Sequence, residues 1–189
     1  RGSLYVLPDD QPLPEPSDDE QDRKFIKRWS LADFASESDD LAGRSVSRGE
    51  TVFTIAGCIK CHKVGDKGTT LGPELTDIQK QFKGSQLLRQ ILEPSTEINK
   101  QYQTWIAVTE DGTVKSGLAP EQVDSTITLL PNPLRPTESI VLQKAELDEL
   151  IASKQSTMPE GLLMTFTKDE ILDLLAFLQQ ARSSEPTEN

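Results

Sequence analysis

The chain has 189 residues, enough for a globular domain with its own core plus a linker, but only 35% are hydrophobic and 5% aromatic. That is little apolar material for a core of aliphatic side chains alone, and a bulky apolar cofactor would supplement it. With 31 acidic against 20 basic side chains the net charge is -11, which repels a phosphate backbone, excludes nucleic acid as a partner and favours a basic docking surface.

No run of 18 apolar residues is present, so no membrane span is expected in this chain, and no signal-peptide pattern opens it. The start Arg1-Gly2-Ser3, without Met, is expected of a piece of a longer chain whose targeting signal lies upstream.

In chain order, residues 1 to about 22 are acidic, Pro-rich and without apolar periodicity, the composition of a solvated linker. Phe25, Ile26, Trp29, Leu31 and Phe34 then form a short amphipathic pattern, readable as a helix that docks on the main domain or on a neighbour. A helix is predicted from an N-cap at Ser45 or Ser47 through Ile55, ending at Gly57. The Gly/Thr-rich loop VGDKGTTLGPEL follows, then a helix over Ser85 to Leu92 stopped by Glu93-Pro94.

From Tyr102 the apolar period changes to two. YQTWIAVTEDGTVKSGLAP reads as strand, Asp111-Gly112 turn and strand, and STITLL and SIVL as two more strands of a small antiparallel sheet. KAELDELIASK, residues 144–154, reads as helical, and the loop QSTMPEGLLMTF leads into a last helix. There Thr167 and Glu170 form a capping box, with Ile171, Leu174, Leu175 and Leu178 on one face. The tail from Ser183 is polar, and no internal repeat is present.

The chemistry concentrates in AGCIKCHK, which holds both cysteines and the single histidine of the chain. Cys58-x-x-Cys61-His62 is the attachment pattern of haem c: two thiols one turn apart reach the two vinyl groups, and the adjacent imidazole falls under the iron. A structural zinc site wants four such ligands and the chain has three. A thioredoxin-like pair would need a strand-to-helix setting that is missing here. With His62 proximal, the other axial position falls to a methionine, to a weaker ligand such as lysine, or to nothing. Met158 lies in a loop stiffened by Pro159 and Gly161 and is the expected thioether; Met164 sits in an apolar run where core packing is the usual role. The expected metal ligands are therefore His62 and Met158, for one haem c per chain.

The stretch from about Gly49 to Leu178 resembles a class I c-type cytochrome, with Gly49, Phe53 and LLAFL where that fold crosses its terminal helices. CIKCHKVGDKGTTLGPELTDI, ILEPSTEINKQYQT, TEDGTVKSGL and MPEGLL...LLAFL are similar to the haem-binding domain of planctomycete and verrucomicrobial type. The resemblance implies that the Pro73 carbonyl accepts the Nδ1 hydrogen of His62, making Pro73 part of the cofactor site. It implies a mainly α fold, from which the antiparallel β-sheet expected at about residues 102–142 departs as an insertion, and the chain divides into an acidic Pro-rich linker plus short amphipathic segment 1–42, a cytochrome domain 43–183 and a tail 184–189. It further implies one-electron transfer rather than enzyme catalysis, a C-terminal position in a large exported, periplasmic parent, and a redox partner protein or tethered upstream domain. Tyr102 and Trp105 are candidates for propionate hydrogen bonds or for simple hairpin packing. A haem-based gas sensor or peroxidase-like site, and a haem-stapled structural module, are the alternatives.

Overall fold

The first regular helix, α1 (Val46–Ile55), begins at one of the two expected N-caps: the Ser45 hydroxyl accepts the Arg48 backbone N–H at 3.3 Å. The structure is a computed structural model that describes residues 23–182 apart from Ser36 and Leu134. The expected linker over 1–22 and the tail from Ser183 lie outside the described residues. Within them the chain forms two compact units, one of residues 23–93 with 160–182 and one of residues 94–159.

The first unit is helical. It holds α1, α2 (Gly84–Leu92) and α3 (Lys168–Gln180), with a two-stranded ribbon of β1 (Lys63–Val64) and β2 (Lys67–Gly68). The predicted capping box at Thr167 and Glu170 forms in both directions, so two orphan N–H groups of α3 are satisfied at once. Helices α1 and α3 pack against each other through the fully buried Val52 and Phe53 on one side and Ile171, Leu174, Leu175 and Leu178 on the other. The Phe53 and Phe177 rings meet at 5.6 Å between centroids.

Gly49 is what lets the two helices come so close. A Cβ there would sit 2.0 Å from the Asp173 carbonyl oxygen and 2.7 Å from Phe177 Cβ. The same crossing buries the Asp173 carboxylate completely; it accepts the Ser45 N–H at 3.0 Å and pairs with the Arg48 guanidinium, tying the start of α1 to the middle of α3.

The amphipathic segment near the start docks on this unit, but not as the helix its pattern suggests. From Arg23 to Ser30 the backbone carries no regular structure, and only a single 3-10 turn, Leu31–Asp33, follows. The Ile26 and Lys27 N–H groups donate to the Met164 carbonyl at 2.8 and 3.1 Å, taking up the donors a helix would have used internally. Trp29 and Phe34 turn inward, with ring centroids 5.4 Å apart, whereas Phe25 stays 67% exposed.

The second unit is an antiparallel sheet of five strands in the order β6-β5-β4-β3-β7. These are β3 (Thr104–Thr109), β4 (Val114–Gln122), β5 (Thr126–Leu130), β6 (Ile140–Gln143) and β7 (Leu147–Ala152). Its core is Ala107, Ile127 and Leu129, with Trp105, Ala119, Leu142, Leu147 and Leu150 packed on them. The edge strands β6 and β7 are joined by only three residues, Lys144–Glu146. Four strand spacings in a flat sheet span about 19 Å, whereas the steps from Gln143 to Leu147 reach at most about 14 Å. The sheet is therefore curled toward a small barrel.

Three further expectations are corrected here. Residues 144–154 are not helical: after one 3-10 turn they form β7, paired with β3 from Trp105↔Ala152 to Thr109↔Leu147. The Glu, Leu, Ala and Lys residues favour helix locally, but the open edge of β3 outweighs that weak preference. Nor is the fold mainly α. The three α-helices have 10, 9 and 13 residues and the five sheet strands 6, 9, 5, 4 and 6, so helix and strand contribute about equally. The sheet also runs on to Ala152, beyond the expected end near residue 142.

Candidate haem site

Gly57, in the left-handed conformation, takes the chain out of α1 directly into a 3-10 turn, Cys58–Lys60. The Cys61 and His62 N–H groups both donate to the Cys58 carbonyl, at 3.1 and 2.9 Å. This closes the three residues of interest into one turn. Both cysteines are free thiols. Burial pushes the Cys58 thiol up to about 12, so it stays protonated at neutral pH.

His62 is held from two sides. Its Nδ1 donates to the Pro73 carbonyl at 2.7 Å, which fixes the tautomer and leaves Nε2 unprotonated as the free donor atom. Gly72 lies close beside the ring: a Cβ there would stand 2.8 Å from His62 Cε1 and 3.1 Å from Nδ1. Burial pushes the imidazole below its usual value against the opposing effect of the Pro73 bond, so it is neutral and able to ligate.

The loop from Gly65 to Pro73 is itself tied to the turn. The Gly72 N–H donates to the Cys61 carbonyl at 2.6 Å, and the Thr69 hydroxyl donates to the Lys60 carbonyl at 2.7 Å. Thr69 was not singled out from the sequence, since a threonine in a Gly/Thr-rich loop carries no distinguishing pattern. Among the expected site residues, Cys58, Cys61, His62 and Pro73 come together in the helical unit. Met158 belongs to the sheet unit, at its last turn, where its N–H donates to Ser156 Oγ and the Ser156 N–H to Ser95 Oγ, both at 3.1 Å. Met164 lies in the helical unit and lines a cleft with Trp29, Leu92 and Leu163. Trp105 packs on the core of the sheet.

Two free thiols on one turn, beside a neutral imidazole whose Nε2 is unprotonated and whose ring rests on a Cβ-free cradle, fit a haem held by two thioethers and a proximal histidine. The donor set matches that group in kind and in order.

Residues 46–132 match the family model described as Cytochrome c. The match supports a c-type cytochrome domain, whose cofactor is covalently attached haem c and whose general role is haem-based electron transfer. It begins at the first residue of α1 and includes the cysteine turn and Gly72-Pro73. No curated protein matches the chain. No helix among the described residues is long and apolar enough to cross a membrane.

Proposed function

We propose that the chain carries a single haem c with His62 and Met158 as axial ligands and passes one electron at a time between redox partners. The observation that carries this reading is the His62 turn, where free thiols, a fixed tautomer and the Gly72 cradle coincide. When bound, the group supplies one-electron oxidation and reduction at an iron with no bond chemistry on a substrate.

The chain's own residues set the conditions for that. Cys58 and Cys61 hold the group covalently, which compensates for the small number of aromatic side chains. Pro73 orients His62 and raises its basicity as a ligand. A soft Met158 thioether on the other side favours the reduced form, as does an apolar pocket that disfavours additional positive charge. His62 is the only histidine in the chain, so no second imidazole can serve as a distal base, which counts against peroxidase chemistry.

The similarity of the quoted segments to planctomycete and verrucomicrobial haem-binding domains supports a C-terminal module of a larger exported protein, working in the periplasm. The electron donor or acceptor is then a tethered upstream domain, where high effective concentration replaces charge complementarity, or a basic soluble protein suited to the net charge of -11. Pyridine haemochrome analysis of the matured protein should give one haem with two thioether bonds per chain, and voltammetry a reversible one-electron wave. Absence of covalent haem after expression with the maturation machinery, or ready CO binding by the ferrous protein, would overturn the reading.

A further inference from the structure

Residues 23–34 precede the stretch that matches the cytochrome model, yet they are bonded to the segment that leads from Met158 into α3. The Met164 carbonyl accepts two N–H groups, from Ile26 and Lys27. The Trp29 indole donates to the Phe166 carbonyl at 3.0 Å, and the Arg23 Nε to the Thr165 carbonyl at 3.2 Å. The Arg23 guanidinium also lies 4.2 Å from the centre of the Phe166 ring and pairs with Glu170 at 2.7 Å. Three consecutive carbonyls, of residues 164, 165 and 166, are thus all taken by one strap.

From the other side the same segment is anchored by Leu163 and Phe166, only 1% and 2% exposed, and closed on itself by the Met164 N–H to Gly161 carbonyl bond at 3.0 Å. Only Pro159 and Glu160 separate Met158 from Gly161, and Pro159 restricts the backbone further. The Met158 loop is thus joined through two residues to a segment that is held firmly over residues 161–166. Nothing else in the helical unit bonds those three carbonyls among the described residues.

We propose that Arg23 and Trp29 are positioning residues for the Met158 thioether: the strap clamps residues 164–166, the segment to which the Met158 loop is joined by Pro159 and Glu160. The inference rests on the His62/Met158 reading. It assigns to a segment outside the matched stretch a role in ligation, and it means that a domain cut at residue 45 would carry covalent haem but a poorly held sixth ligand.

The test uses the full-length, haem-loaded protein with imidazole as the probe, because imidazole enters the ferric iron only when the methionine leaves. Arg23→Gln with Trp29→Phe removes two bonds to the clamped carbonyls together with the Glu170 pair, and should speed imidazole binding about ten- to a hundredfold while weakening the sulfur-to-iron charge-transfer band. Ser45→Ala, which removes the N-cap at the end of α1 remote from Gly57, serves as the control for general destabilisation and should leave the imidazole rate unchanged. An unchanged imidazole rate in the strap variant, even with lowered thermal stability, overturns the proposal. So does an equal acceleration in Ser45→Ala. Wild-type protein and Met158→Ala are measured first: if both lack the band and bind imidazole equally fast, the ligand assignment itself falls and the strap inference with it, a result distinct from failure of the strap alone.

Discussion

Replacing Gly49 by alanine is the sharpest test of the helix crossing on which the haem turn is built. At an ordinary exposed helix position this change stabilises by about 1 kcal/mol, because glycine is the poorer helix former. Here the added Cβ would meet the Asp173 carbonyl oxygen at 2.0 Å, Asp173 carbonyl carbon at 2.6 Å and Phe177 Cβ at 2.7 Å. Two of these are backbone atoms of α3 and cannot rotate away, and contacts tighter than 3.4 Å are already uncommon for a real Cβ. The helices must separate, and the buried layer of Val52, Phe53, Leu174, Leu175 and Leu178 loses part of its contact. Overpacking of this kind costs about 3 kcal/mol net of the propensity gain, near the upper end of its usual range. For a protein of this length that lowers the melting temperature by about 6–12 °C. Thermal unfolding of the haem-loaded protein, followed by far-UV circular dichroism, reads it directly. A Gly49→Ala variant with equal or higher melting temperature would refute the argument that the helices touch at this residue.

Three further outcomes follow from the same geometry. Gly72→Ala should leave covalent haem in place but tilt His62, through the 2.8 Å contact with Cε1, and so shift the Soret band and lower the reduction potential; unchanged values of both would contradict the cradle. Asp173→Ala strips the buried carboxylate from the Ser45 N–H and from Arg48 and should cost about 1–3 kcal/mol in urea denaturation, held to that range because the Arg48 side chain is 56% exposed and can return to water. Partial burial pushes Glu170 up, but its bonds with Thr167 and with Arg23 outweigh that and leave its pKa below the ordinary 4.5. A carboxylate depressed on folding stabilises above its unfolded value, and that contribution is lost as pH falls through the lower folded value. Urea midpoints should therefore drop more steeply between neutral pH and about pH 3 in the wild type than in Glu170→Gln, and parallel slopes would show that the capping box carries no such linkage.

Much of the helical unit can be read from the sequence because its signals are local. Ser45, Thr167 and Glu170 act within one turn of where they stand, and Cys58, Cys61 and His62 are set by a spacing that the chain closes on itself. The hairpin of β3 and β4 is equally local, with Asp111-Gly112 between alternating strands. What escaped depends on partners far along the chain. β7 looks helical because Leu147 and Leu150 both reach the core, a spacing that a strand permits only through the register shift at Val108/Thr109. Residues 23–30 look helical because the carbonyls that capture their N–H groups lie about 140 residues away, beyond the reach of any periodicity. The near-equal share of helix and strand follows from that sheet, whose fifth strand carries a helix-like pattern in the sequence.

The central claim, one haem c held by His62 and Met158 for electron transfer, is tested most directly by the ferric optical spectrum of the wild type beside Met158→Ala and Met164→Leu. The account predicts a sulfur-to-iron charge-transfer band in the wild type and in Met164→Leu, and its disappearance in Met158→Ala. A band that survives in Met158→Ala, or that is absent from the wild type, would contradict it.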